Sequence, residues 1–216
     1  EIVGIESFQN DFSIAEMDGS KAMSENEKSI DKTPMRLNAL LLVLVTGGTA
    51  SLNIDYVPYE IGPNHLVTIM PTHTIQISES SSNFKGYVLI ISKAFLEGCL
   101  SVKNGQSMLH YMQVRKNPCF SIESEQTDFL ASYCSSMREK IRNKEHLFQK
   151  ELIQNALDGF FLELGDILGR KYGVMAQPTL SRKEMLFEQF LQLLFKHCKE
   201  QHVVTFYADK LFITPQ

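Results

Sequence analysis

Leu37-Asn38-Ala39-Leu40-Leu41-Leu42-Val43-Leu44-Val45 begins the stretch that decides the fold; Leu52–Val57, Leu66–Met70, Thr74–Ser78 and Tyr87–Ile91 follow it. Each is a short run rich in large aliphatic, β-branched or aromatic residues, and each is bounded by residues that break strands. Gly47-Gly48, Pro58, Gly62-Pro63-Asn64, Pro71 and Ser80–Asn83 supply the breaks, because glycine permits positive φ and proline cannot continue a central strand. Strands this short and this closely spaced predict a barrel or a sandwich. In Leu52-Asn53-Ile54-Asp55-Tyr56 apolar and polar residues alternate, so one face packs inward and the other meets water. Leu37–Val45 is apolar on both faces, which predicts a strand buried between two layers.

Outward from this stretch toward the N-terminus, the first thirty or so residues are polar and aperiodic apart from Ile2–Ile14. They fit an arm lying on the strands and a mobile leader alike. Glu1-Ile2-Val3-Gly4 has neither the basic start nor the apolar core of a secretory signal. The longest apolar run is far shorter than the roughly 20 residues a helix needs to cross a bilayer, so the expectation is a cytoplasmic protein that does not engage a membrane. A length of 216 residues, with 44% hydrophobic and 21% charged residues, accommodates one full domain and an appendage and excludes a disordered or low-complexity chain. Cys99, Cys119, Cys134 and Cys198 stand far apart with no Cys-x-x-Cys pair, which argues for reduced structural thiols and against a zinc knuckle or redox dithiol.

Outward toward the C-terminus, the period changes after Ile122. Leu130, Tyr133, Met137 and Ile141 recur at three- and four-residue steps, as do Ile153, Leu157, Phe160, Phe161, Leu164 and Leu168; this is the signature of two long amphipathic helices. The second carries more apolar surface than a lone helix can leave exposed, so Ile153, Leu157, Phe160, Phe161 and Leu164 bury against the first helix or form the interface with a second copy. Gly173 fits a left-handed helix cap, and Val174–Thr179, with Pro178, reads as a linker. The segments are therefore a strand-rich domain with its N-terminal arm over 1–122, a helical dimerisation segment over 123–172, a linker over 173–180 and a new module over 181–216.

That module opens on Ser181-Arg182-Lys183-Glu184, a capping-box pattern. Leu186, Phe190, Leu193, Leu194 and His197 form the stripe of a helix reaching about Lys199, and Val203–Phe212 makes a second, shorter one. Thr214-Pro215 then fits the start of a third helix: the hydroxyl caps an exposed amide, and proline's missing N–H costs nothing at the first helical position. Only Gln216 follows, and the expectation is that this module is truncated. Residues 1–169 hold 14 Lys+Arg against 21 Asp+Glu, giving −7, and residues 170–216 hold 7 against 4, giving +3. The surplus of positive charge lies with the new module, a hint of a nucleic-acid-facing end.

Phe187-Glu188-Gln189-Phe190-Leu191-Gln192-Leu193-Leu194, then His197, then Val204-Thr205-Phe206-Tyr207-Ala208-Asp209-Lys210-Leu211-Phe212-Ile213-Thr214-Pro215-Gln216 closely resembles the start of the AraC-family DNA-binding domain. The resemblance covers about 30 residues. It implies that Phe206–Leu211 belongs to the first helix of a helix-turn-helix, and that the helix opened by Thr214-Pro215 enters the major groove. Lys210, Thr214, Pro215 and Gln216 are the DNA-facing candidates it supplies. It further implies an α+β chain: an N-terminal cupin-like β-barrel that senses an effector, two long helices that pair subunits, and the first helices of a truncated helix-turn-helix domain. The partners are then double-stranded DNA for the full-length protein, an unknown small-molecule effector, a second copy in a homodimer, and RNA polymerase as a further candidate. An effector-responsive, sequence-specific transcription regulator, activator or repressor, is the function implied. For the effector, polar or aromatic residues on the strands are the candidates: Tyr56, His73, Gln76 and Tyr87.

The alternatives are a metal-dependent cupin enzyme and a non-catalytic small-molecule-binding protein. A cupin metal site wants a His-x-His pair, a Glu a few residues on and a distant third His, so that imidazoles and carboxylate converge. His65, His73, Glu79 and His110 lack that spacing. There is also no Gly-rich phosphate loop, nucleophile elbow or Cys/His dyad signature. The expectation is therefore no catalytic residues, no metal and no cofactor.

Overall fold

The computed structural model describes residues 2–19, 33–71, 73–98, 114, 117–172, 186, 189–190, 193–194, 197 and 200–214. The chain divides into two compact units, Glu1–Ile167 and Leu168–Gln216. The order of elements is β1 (Ile2–Phe8), β2 (Phe12–Asp18), β3 (Ala39–Gly47), β4 (Ala50–Ile54), β5 (Val57–Ile61), β6 (His65–Ile69), β7 (Ile75–Ser80), β8 (Lys85–Ser92), α1 (Lys93–Gly98), β9 (Cys119–Ser121), α2 (Ser124–Arg142), α3 (Gln149–Tyr172) and α4 (Val204–Lys210). The class is mixed α+β, with strands preceding the long helices.

The strands do not close into one barrel. Among the described residues they form two sheets, a six-stranded one in the order β1-β2-β8-β3-β6-β9 and a three-stranded one in the order β5-β4-β7. The chain changes sheet between β3 and β4. Gly48 makes that corner at φ +68°, where a Cβ would lie 2.5 Å from the Cα of Phe84, a position only glycine fills without displacement. The two sheets face each other across Leu41, Val45, Ala50, Leu52, Ile54, Ile61, Val67, Ile69 and Ile75, so closure comes from an aliphatic interior rather than from a continuous ladder.

β3 lies in the middle of the larger sheet, between β8 and β6. Leu41 and Val45 face the small sheet. Leu40, Leu42 and Leu44 point to the opposite face, and Leu42 and Leu44 are completely buried. α2 lies against β1, β2 and β3, which covers that second face. The continuous apolar run thus reflects burial on both sides, as its composition predicts. One element departs from the sequence reading. Pro58, expected to end a strand, sits inside β5; β5 is an edge strand, where a missing N–H leaves no ladder bond unmade on the outer side. Residues 2–18, which the sequence leaves between an arm on the strands and a mobile leader, form a hairpin, β1 to β2, that extends the large sheet through β8.

α2 and α3 are joined by a short turn. Gln149 Nε2 donates to the carbonyls of Lys140 and Ile141 at 3.0 and 2.9 Å, which satisfies two of the acceptors left open at a helix C-terminus. At the other end of α2, the Glu123 N–H donates to Gln126 Oε1 at 3.0 Å. The ring of Tyr133 on α2 rests on Gly159 of α3, where a Cβ would come within 3.0 Å of it. No helix among the described residues is long and apolar enough to cross a membrane.

Candidate functional site

In the C-terminal unit, the described residues Leu186, Gln189, Phe190, Leu193, Leu194 and His197 are helical, and α4 follows. Tyr207, Ala208 and Leu211 of the second segment are buried. Tyr207 meets Phe190 edge-on at 5.7 Å between ring centroids and Phe206 at 5.2 Å, and Phe206 meets His197 at 5.2 Å. The Tyr207 hydroxyl donates to the Gln201 carbonyl at 2.7 Å, which ties the connecting turn to α4. Aromatic pairs of this geometry add to simple burial, so seven helical residues are held by neighbours rather than by length.

α4 ends sharply. The Phe212 N–H donates to the Asp209 carbonyl at 3.2 Å and the Ile213 N–H to the Ala208 carbonyl at 3.0 Å. Phe212 adopts φ +53°. This pair of bonds around a left-handed residue is a Schellman stop, and it reverses the chain just before Thr214. Lys210 is exposed, with its ammonium 6.0 Å from the Phe206 ring centroid, and Thr214 is exposed as well. Pro215 and Gln216 lie outside the described residues. The unit therefore presents a cationic side chain and a hydroxyl on either side of a fixed turn.

The four effector candidates fall at separate places in the strand-rich unit. Tyr56 is 82% exposed, in the two-residue turn between β4 and β5, where Asp55 and Tyr56 both take positive φ. Gln76 faces away from the interior, because its neighbours Ile75 and Ile77 turn inward; it accepts from Asn53 Nδ2 at 3.3 Å. His73 is buried: its Nδ1 accepts from the Met70 N–H at 3.3 Å, and its Nε2 lies 4.0 Å from an Asp55 carboxylate oxygen. Asp55 in turn accepts from the Thr74 N–H at 2.8 Å. Tyr87 lies on the opposite face of the large sheet, its hydroxyl 3.0 Å from Ser135 Oγ of α2. Tyr56, His73 and Gln76 thus belong to neighbouring stretches at one end of the small sheet, and Tyr87 is not among them.

Tyr59 and Cys119, both half-buried, pack against the aliphatic cluster between the sheets. Burial pushes the Cys119 thiol up to about 12. Tyr59 is raised first by burial and then by the neighbouring Cys119 and Asp55. Cys134 on α2 is buried and raised as well. A thiol held protonated is a poor nucleophile and metal ligand, so both behave as small apolar side chains. Among the described residues no group of three or more His, Cys, Asp or Glu is placed to hold a metal ion. His65 Nδ1 bonds the Gly62 carbonyl at 3.1 Å, Glu79 is exposed, and His110 lies outside the described residues.

Sequence reasoning missed a set of charged contacts on the second face of the large sheet. Arg138 is buried at the base of α2 and bonds Glu16 of β2 through Nη1, with Glu6 of β1 3.9 Å from Nη2. Arg142, one turn on, grips Glu6 with Nε at 2.8 Å and Nη2 at 2.7 Å. The contacts span 122 and 136 residues of sequence, and nothing local signals them. On α3, Ile153, Leu157, Phe160 and Leu164 are buried within the chain and Phe161 is half-buried, whereas Leu162 is 66% exposed.

No known protein family matches the chain, and no curated protein matches it. Solved structures similar to it include the AraC-like transcriptional activator CuxR, 12% identical with a TM-score of 0.44, covering 94% of this chain and 64% of that one. Apo ToxT from Vibrio cholerae is 15% identical with a TM-score of 0.44, covering 94% of this chain and 71% of that one. The cupin domain of Cnp3 from Schizosaccharomyces pombe is 7% identical with a TM-score of 0.34 over 45% of this chain and 67% of that one. The chain thus spans less than two thirds of the length of CuxR.

Proposed function

We propose that the chain is the sensing and dimerising part of an effector-responsive, sequence-specific transcription regulator of the AraC type, without catalytic residues of its own. The observation that carries this reading is the C-terminal unit. Within the string Val204–Gln216, which resembles the AraC-family DNA-binding domain, the described residues Val204–Thr214 form a short helix locked by Tyr207, Ala208 and Leu211 and stopped at Phe212 in a left-handed turn. A helix-turn-helix needs such a fixed turn, because the angle between its helices decides whether the second reaches base edges. Lys210 and Thr214, exposed beside that turn, suit phosphate contacts, which fix register without reading sequence.

The physical logic extends to the rest of the chain. One recognition helix makes few base contacts, so pairing two copies lets two half-sites be read together. An effector held by the strand-rich unit changes DNA affinity only by binding two arrangements of the protein unequally. The test is fluorescence anisotropy across a salt series on the DNA upstream of its own gene, comparing this chain with one continued past Gln216 in the natural reading frame. Specific binding by the continued chain and only weak, salt-sensitive binding by the 216-residue chain supports the reading. Absence of specific binding by both sinks it.

A further inference from the structure

α4 stops on a residue type that such stops disfavour. Leu211 is its cap residue, and the residue after it takes the left-handed conformation, in which a side chain crowds the neighbouring carbonyl and glycine is the usual choice. Gln9, Asp55, Tyr56 and Asn64 also have positive φ, but each carries a polar group that water or a local hydrogen bond satisfies. Phe212 carries none: it is a hydrocarbon ring at φ +53°, 95% exposed.

The stop itself turns the ring outward. In a Schellman turn the second residue past the cap comes back against the last turn of the helix, which leaves the first facing away from it. Ile213 is the residue brought back: its N–H bonds the Ala208 carbonyl at 3.0 Å, and it is 41% exposed against 95% for Phe212. Glycine would make the same turn with less strain, so the Phe212 ring adds nothing to the turn or to the packing of α4. A strained position whose side chain does not serve the fold is the mark of a contact made elsewhere.

We propose that the Phe212 ring packs against the deoxyribose of a DNA backbone, between phosphates held by Lys210 and Thr214. The inference rests on the regulator reading and adds an apolar contact to it. Two observations select DNA as the occupant. Lys210 and Thr214 are both exposed and stand two residues before and two after Phe212, so a ring between them lies against whatever they bind. Residues 168–216 hold 7 Lys+Arg against 4 Asp+Glu, giving +3, while the rest of the chain holds 14 against 21, giving −7; the positive balance favours a polyanion. A phenyl ring has no donor or acceptor, so it joins such a contact through the sugar and leaves the phosphates to the ammonium and the hydroxyl.

The experiment uses the chain continued past Gln216 in its natural frame. Fluorescence anisotropy over a salt series on the DNA upstream of its own gene is paired with thermal unfolding of the same proteins. Phe212→Gly and Phe212→Asn, both at ease in the left-handed region, are expected to keep or raise the unfolding midpoint. They are expected to weaken DNA binding about tenfold, the effect of one part-buried ring, and to leave its salt slope unchanged. Phe212→Tyr is expected to bind as the wild type does. Lys210→Ala, by contrast, is expected to lower the salt slope by about 1, the signature of a lost phosphate contact. A lower midpoint for both Phe212→Gly and Phe212→Asn would place the ring inside the protein and overturn the contact, and so would undiminished DNA binding by both. A wild-type continued chain that binds no DNA specifically overturns the regulator reading itself, and the Phe212 contact with it.

Discussion

The two faces of the six-stranded sheet are both buried, yet by different means. Toward the small sheet, β3 offers Leu41, Val43 and Val45 to an aliphatic cluster against which Tyr59 and Cys119 pack. Toward α2, the same strand offers Leu40, Leu42 and Leu44, but around that apolar centre stand Arg138, Arg142, Glu6, Glu16, and Tyr87 with Ser135. Aliphatic packing is strong but has no direction. Ion pairs and hydrogen bonds are individually weaker but fix where a helix lies. The first face holds the sandwich shut; the second specifies the position of α2, and through Glu6 and Glu16 it binds the N-terminal hairpin to that position.

The comparison breaks most visibly at Leu44, which has no solvent exposure. Leu44→Ala is expected to cost about 3 kcal/mol in urea unfolding, within the range for a leucine cavity. A loss below about 1 kcal/mol would show that the second face is not a packed core. Next comes Arg138. Arg138→Met keeps the stem but strands Glu16, while Glu6 stays paired with Arg142, and is expected to cost about 2 kcal/mol, short of the full penalty for a buried pair because the Glu16 side chain is 41% exposed. Adding Glu16→Gln is expected to recover most of that loss. If Arg138→Met were neutral alone, the contacts would be ornaments of the surface rather than fastenings.

Much of this architecture is legible in the sequence, and the illegible part has definite causes. The run Leu37–Val45 announces a strand buried on both faces, and the spacing of Leu130, Met137 and Ile141 announces α2. β5 escapes notice because Pro58 reads as a stop, which it is only in a central strand. The β1–β2 hairpin escapes because its turn, Gln9-Asn10-Asp11, lacks glycine, with Gln9 itself at φ +53°. For the site residues, alternation shows that Gln76 and Ile77 face opposite ways but not which way is in; Ile75 and Ile77 decide that only once the second sheet is known. The pairing of Arg138 with Glu16 has no sequence signal, because charge attraction carries no periodicity. In the C-terminal unit the aromatic residues are visible, but the left-handed Phe212 is not, since that conformation usually calls for glycine.

On the interior face, the polar members sharpen the contrast through pH. The Cys119 thiol is raised from 9 in the free state to about 12 by burial. A raised folded value means that the folded chain keeps its proton where the unfolded chain loses it, so stability is intact below pH 9 and falls as pH climbs from about 9 toward 12. Cys119→Ala is expected to flatten that alkaline decline in unfolding curves taken at several pH values. Below that range, iodoacetamide followed by mass spectrometry at pH 8 is expected to leave Cys119 and Cys134 unmodified in the folded protein and to modify both after unfolding. Ready labelling of Cys119 in the native state would mean that the sandwich opens there.

The smallest expected effect tests whether the second face specifies position at all. Tyr87→Phe removes the hydroxyl that meets Ser135 at 3.0 Å and keeps the ring, so its cost is expected to be about 0.5 kcal/mol, the low end for a partly exposed hydrogen bond. Ser135→Ala is expected to cost as little, and the double variant no more than the larger single one, because each removes the same bond. Stability alone barely registers such a change. The discriminating readout is amide exchange along α2: if the bond only adds energy, protection falls evenly over the whole unit, whereas if it sets where the helix lies, protection falls first around Ser135 while the β3–β6 ladder is untouched.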